Sequence, residues 1–284
     1  MNFERQFLDA IILSRWPGVG ARRFAELIKI HGSPSSALKH ADLPDPSVIK
    51  TKKQPMQEAE VIVKDYLEKG GLGTYLGAAD YPRLLAAIPE PPPYLFRRGM
   101  LWPIDSFTVA IVGAREATAR GVTFARKLAR GLSELGVTIV SGGALGIDFA
   151  AHHGALVASG RTVLVTATGI DGCYPPCHES LFREVAERGG ILTELLPGTP
   201  PRRDFFPTRN RIIAGLSQAL VVVEGKKQSG SASSVVHMQK LKRPVFVWTG
   251  PHPAQFELRE QIIQHGGLPL KDADPEFILS KILG

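Results

Sequence analysis

The chain has 284 residues, 44% of them hydrophobic and 21% charged, with a formal net charge of +7. This is the balance of a soluble globular protein long enough for two domains, and the positive excess points to an anionic partner. Its two cysteines, Cys173 and Cys177, exclude a disulfide framework, and no apolar run approaches the roughly 18 residues of a membrane span. The opening "MNFERQFLDA" lacks the basic-then-apolar build of a signal peptide, so a cytoplasmic protein with no membrane partner is expected.

In chain order, the first module reads as helical. Apolar residues recur at three-to-four spacing over Phe7–Arg15, Ala21–His31 and Gln57–Lys69. Within it, "WPGVGARRFAELIKIHGS" (Trp16–Ser33) has the form of a helix-hairpin-helix element. Its Gly-Val-Gly turn either presents backbone N–H groups to a nucleic-acid phosphate or simply joins two helices tightly. The stretch "GSPSSALKHADLPDP" (Gly32–Pro46) is loop-rich. The proline run in "IPEPPPYLFRRGM" (Ile88–Met100) predicts an extended segment that closes the first module. The expected division is a small helical domain over residues 1–75 and a sheet domain over 76–284.

From Phe107 onward short apolar strands alternate with amphipathic helices. Strands are predicted at Thr108–Val112, Val137–Val140, Thr162–Ala167, Ile191–Thr193, Ala219–Val223 and Pro244–Val247, with helices such as Ala117–Leu135, Asp148–Ala158 and Ser231–Lys240 between them. That grammar is α/β: a parallel, Rossmann-like sheet with helices on both faces, which binds ligands beyond the carboxyl ends of its strands. Most of the charge excess lies here, +5 against +2 over residues 1–105.

The strand ends carry the candidate site. They are "VGAR" with Gly113 and Arg115, "VSGGALGID" with Ser141, Gly142, Gly143 and Gly146, and "EGKKQSGSASS" with Ser229, Gly230 and Ser231. Glycine turns and helix starts aim backbone N–H groups at a phosphate, serines add hydroxyls, and arginines add forked cationic donors. "PTRNR" contributes Arg209, Asn210 and Arg211 where an apolar helix is expected to begin near Ile212. Positive charge is unwelcome at a helix start, so a bound anion is one explanation for these arginines, and pairing with Asp204 or Glu194 is another. Asp148 is expected to cap the helix that carries His152 and His153.

The dinucleotide fingerprint is absent, since Gly142, Gly143 and Gly146 give only G-G-x-x-G. Gly225-Lys226-Lys227 lacks the hydroxyl and upstream glycine of a Walker A loop, so neither NAD nor ATP is expected as a cofactor. "CYPPCH" (Cys173–His178) offers three potential ligands where structural zinc wants four and reads better as a rigid turn. No serine–histidine–acid or paired-carboxylate arrangement stands out.

In order along the chain, these segments resemble the DNA-processing protein A family (DprA, also called Smf). The resemblance runs from "YPRLLAAIPEPPPYLFRRG" through "VGAR", "SGGALGIDFAAHHGAL", "GIDGCYPP" and "LPGTPPRRDFFPTRNRIIAGLS" to "VVVEGKKQSGSASS" and "IIQHGGLPL". It implies an extended Rossmann-like domain that binds single-stranded DNA, protects it during natural transformation and loads a RecA-type recombinase. It also implies a homodimer with no catalytic reaction, and a DNA pocket at Gly113–Arg115 and Ser141–Asp148. Two residues depart from the family pattern: Ala114 stands for a serine and Leu145 for a frequent basic residue. The chain also stops short of the C-terminal winged-helix-like module found in many members. Two other functions are compatible with the residues: a nucleotide-binding sensor or N-glycosidase using Glu224, and a related module in defence against foreign DNA.

Overall fold

The computed structural model describes residues 3–45, 56–99, 107–227, 229–250 and 256–284. Four helices lead the chain: α1 (Phe3–Arg15), α2 (Ala21–His31), α3 (Pro34–His40) and α4 (Met56–Glu68). Their periodic apolar positions are buried as the spacing predicts, for instance Phe7, Leu8 and Ile11 of α1 and Ala59 and Val63 of α4. Ser33 caps α3 by accepting a hydrogen bond from the Ser36 N–H.

Two strands follow that the periodicity did not predict. β1 (Leu72–Tyr75) and β2 (Tyr94–Gly99), separated by the single turn α5 (Arg83–Ala86), pair antiparallel. The segment expected to be an extended linker is therefore a linker only up to Pro93; its second half is β2, and Met100 lies outside the described residues. The prolines end before the ladder begins, so their missing N–H groups interrupt nothing. Phe96 is fully buried and meets the Phe7 ring edge-on at 5.4 Å, which fixes α1 to the sheet. The boundary expected at residue 75 coincides with the end of β1, a strand of this sheet.

The alternating pattern then builds β3 (Thr108–Gly113), α6 (Ala119–Glu134), β4 (Thr138–Ser141), α7 (Ile147–Val157), β5 (Thr162–Val165), α8 (Glu179–Arg188) and β6 (Gly190–Thr193). It continues with α9 (Phe205–Leu216), β7 (Ala219–Val223), α10 (Gly230–Lys240), β8 (Val245–Trp248), α11 (Phe256–Gln264), β9 (Leu268–Leu270) and α12 (Pro275–Leu283). The sheet order is β1-β2-β6-β5-β4-β3-β7-β8-β9, parallel except where β2 joins β1 and β6. Successive residues of each strand face opposite layers. Val109, Ile111 and Val221 meet α6 and α7, while Ala110, Val112 and Val222 meet α9 and α10. Leu258 and Ile262 of α11 are buried in that second layer; the Phe256 side chain lies outside the described residues. Among the described residues no helix is long and apolar enough to cross a membrane.

One consequence of the strand order positions the site. From β3 the chain steps outward through β4, β5 and β6, then returns to place β7 on the other side of β3. The crossovers on either side diverge, leaving a crevice between the carboxyl ends of β3 and β7.

Candidate functional site

The crevice holds a cavity of about 580 Å³. One wall is the end of β3, Val112–Arg115, and the opposite wall is the start of α10. Gly113 is required where it stands: a Cβ there would lie 1.8 Å from the Val223 carbonyl oxygen, so any side chain would push the two strand ends apart. On the α10 side Ser229 occupies the N-cap position, but its hydroxyl caps nothing. Its Oγ and that of Ser234, a residue 0% exposed, are buried without a partner among the described residues, although both residues line the cavity. The amides of the first turn of α10, at Gly230 and Ser231, face the same space with the positive end of the helix dipole. A buried hydroxyl left unsatisfied costs about 1–3 kcal/mol, so this wall is complementary to an acceptor-rich ligand.

Arg115 and Lys226 are exposed at the mouth, with Glu116 beside them. The Arg115 guanidinium lies 5.2 Å from the centroid of the Phe206 ring. Phe206 in turn meets Tyr174 at 5.6 Å, and Tyr174, 38% exposed, shares a small adjoining cleft with Leu145. Phe149 packs on His178 instead, with ring centroids 4.9 Å apart.

The glycine turn after β4 is organised from within. Asp148 is not the N-cap of α7; Gly146 is, and Asp148 sits one residue into the first turn, buried. From there its carboxylate accepts from the Ala144 N–H at 3.3 Å, the Gly142 amide also favouring its charge. Burial pushes this carboxyl above its usual range, opposed chiefly by the Arg209 charge. The turn thus closes on a carboxyl of its own chain. Ser141 donates its hydroxyl to the Ile111 carbonyl at 2.6 Å, and the Gly143 carbonyl accepts from His178 Nδ1 at 3.0 Å. Ser141, Gly142 and Gly143 are all buried and shape the site from behind, Gly142 reaching only the small adjoining cleft.

The two arginines of "PTRNR" part ways. α9 begins at Phe205, so both lie past the first turn, where the helix dipole no longer acts against them. Arg209 is buried, and its guanidinium braces two strand ends by donating to the carbonyls of Gly142 and Val165. Burial lowers its pKa to about 10, so it stays charged at neutral pH. Asn210 lines the cavity and donates to the Gly230 carbonyl at 3.0 Å, tying α9 to the first turn of α10. Arg211 points elsewhere: it is ion-paired with Glu194, away from the cavity. Glu224 is buried at the end of β7 and accepts from both the N–H and the hydroxyl of Thr118, the N-cap of α6.

Of the residues expected at the site, the structure therefore brings Gly113, Arg115, Arg209, Asn210, Ser229, Gly230 and Ser231 to one cavity. Gly146 supports it from the start of α7. The sequence reading missed Phe206, Ser234 and the inward role of Asp148. Ser231 and Ser234 are three apart on α10, as Phe206 and Arg209 are on α9, so i,i+3 spacing from residues already selected would have found two of them.

Fold and cavity together define the class: a Rossmann-like protein with a cleft of amides and hydroxyls at its switch point. Comparison with known proteins sharpens this. The chain belongs to the DNA recombination-mediator protein A family, whose model matches residues 74–278, from within β1 into α12. It is 42% identical over 206 residues to protein Smf of Synechocystis sp., which covers 71% of this chain and 50% of that protein. It is 35% identical over 190 residues to DNA processing protein DprA of Bacillus subtilis, covering 66% and 64%. The chain thus spans about half the length of the first of these curated relatives. The crystal structure of DNA processing protein A from Streptococcus pneumoniae superposes over 99% of this chain and 98% of its own, with TM-score 0.81 and 26% identity. DNA processing protein A from Helicobacter pylori, described for its single-stranded DNA binding mode, matches 72% of this chain and 93% of its own, with TM-score 0.65 and 28% identity.

Proposed function

We propose that this chain binds single-stranded DNA at the strand-end cavity and acts, without catalysis, as a recombination mediator that protects the strand and loads a RecA-type recombinase as a homodimer. The observation that carries the reading is the wall of α10, where buried, unpartnered Ser229 and Ser234 hydroxyls and free helix amides face a cavity with Arg115 and Lys226 at its mouth. Phosphate oxygens satisfy those donors. The Tyr174–Phe206 pair beside Arg115 offers aromatic surface for a base, a contact worth about 1–3 kcal/mol. The single-strand binding mode described for the Helicobacter pylori relative supports the choice of ligand. Glu224, the acid that precedes the α10 turn in sequence, has its carboxylate engaged by Thr118, which speaks against an N-glycosidase that uses it.

The test is a fluorescence-anisotropy titration of wild type and Arg115→Glu with oligo-dT and a matched duplex at two salt concentrations. Wild type is expected to prefer the single strand. The variant, still folded, is expected to bind it more weakly and with a shallower salt dependence. Equal affinity of both proteins for oligo-dT would remove the strand-end cavity as the DNA site.

A further inference from the structure

α6 begins at the rim of the cavity, where Thr118 is clasped by Glu224 and Glu116 lines the mouth. Its inner face is apolar and buried, with Phe124, Ala125, Leu128, Ala129 and Leu132 set against the sheet layer. Its outer face exposes Arg120, Arg126, Lys127 and Arg130 against a single acid, Glu134. At 3.6 residues per turn these four cations fall within an arc of about 120°. Arg130 pairs with Glu134 at 2.8 Å, whereas Arg120, Arg126 and Lys127 have no acidic partner among the described residues. The exposed helix α8 shows the ordinary alternative, since its Arg183 and Arg188 pair with Glu179 and Glu184 one turn away. Like charges sharing a helix face repel one another, so an unpaired cationic stripe favours an external anion.

The stripe also has direction and an end. Between Arg115 at the cavity mouth and Arg130, Glu116 is the single carboxylate in the sequence. Beyond Arg130 the surface turns acidic, with Glu134, Asp274 and Glu276 gathered where α12 meets α6. From Arg120 to Arg130 the helix rises about 15 Å, a length that faces about four phosphates at a stacked spacing of about 3.4 Å.

We propose that the outer face of α6 is a track for single-stranded DNA leaving the cavity, with its phosphates passing from Arg115 to Arg120, Lys127 and their neighbours. The proposal rests on the reading that the cavity binds single strands, and it adds a length dependence that the cavity alone does not have. The experiment compares wild type with Arg120→Ala/Lys127→Ala, using oligo-dT of about 5 and about 20 nucleotides over a range of salt. Thermal melting confirms that the variant is folded. The expected result is unchanged affinity for the short oligomer, a loss on the order of tenfold for the long one, and a long-oligomer salt slope smaller by about 1.4, from about 0.7 for each cation removed. Wild-type affinity and slope on the long oligomer would overturn the track. Equal losses on both oligomers would overturn it too, by placing these cations in the cavity site. If wild type binds neither oligomer, the single-strand reading itself fails, an outcome distinct from either.

Discussion

Arg209 donates through Nη1 to the carbonyl of Gly142 at 2.6 Å, and a Cβ on Gly142 would lie 2.4 Å from that same nitrogen. The glycine and the arginine, 67 positions apart in sequence, are therefore one device: the missing side chain is the space the guanidinium fills. The same guanidinium is the main charge opposing the desolvation of buried Asp148.

Arg209→Ala should accordingly act on the fold first. It removes the main charge opposing the desolvation of Asp148 and leaves the buried Gly142 and Val165 carbonyls without their donor, a loss of at least about 1–3 kcal/mol, read by urea unfolding. Arg209→Ala/Asp148→Asn should recover part of that loss, because the second change removes the desolvated carboxyl. Additivity of the two substitutions would show that the pair is not coupled.

Ser234→Ala should move stability and binding in opposite directions. Its hydroxyl is buried and unpartnered, so removing it should leave the unliganded protein as stable or raise stability by up to about 1 kcal/mol. Oligo-dT affinity should fall. Unchanged affinity in a titration would show that the hydroxyl meets no ligand.

Arg211→Ala separates the two arginines. The ion pair with Glu194 is mostly buried, with side chains 14% and 19% exposed, and burial pushes the Glu194 carboxyl upward while Arg211 holds it down. Loss of the partner should cost about 2 kcal/mol and leave oligo-dT affinity within about twofold, because Arg211 does not line the cavity. A large affinity loss with unchanged stability would reverse this assignment.

His152 sets a pH dependence. It is fully buried against Thr162, and desolvation lowers its pKa from 6.5 to about 3. The folded protein keeps it neutral while the unfolded chain takes up a proton near pH 6.5, so stability falls as pH drops through that value. Between pH 7 and pH 5 the loss from this group should be about 2 kcal/mol. Asp148, whose pKa is raised, acts with the opposite sign, so the comparison needs His152→Asn, which should flatten the acid slope of thermal melting. An unchanged slope would show that His152 does not set it.

The sheet and the identity of its turns were legible because a buried parallel strand such as Ala219–Val223 announces itself, and parallel topology sends every strand end to one edge. β1, β2 and β9 were hidden: β1 carries a glycine and follows the Gly70-Gly71 pair, β2 follows a proline run, and β9 is three residues long with Pro269 at its centre. The roles of Arg209 and Arg211 depended on where α9 starts. Apolar periodicity marks Ile212, but the helix begins at Phe205, and residues two apart on a helix diverge by about 200°. One arginine therefore turns inward while the other turns away. Asp148 was misjudged for a related reason: Gly146 starts α7 earlier and carries the carboxylate under the turn instead of over its end.

The crevice between β3 and β7 has one more consequence. These two strands form the seam where the outward-stepping half of the sheet meets the returning half, and five register pairs, from Val109↔Ala219 to Gly113↔Val223, hold it closed. A ligand seated across Gly113 and the first turn of α10 touches both halves at once and works as a staple. Its binding energy then adds to the cost of opening that seam, so backbone amides of Ala219–Val223 become slower to exchange with solvent when the cavity is filled.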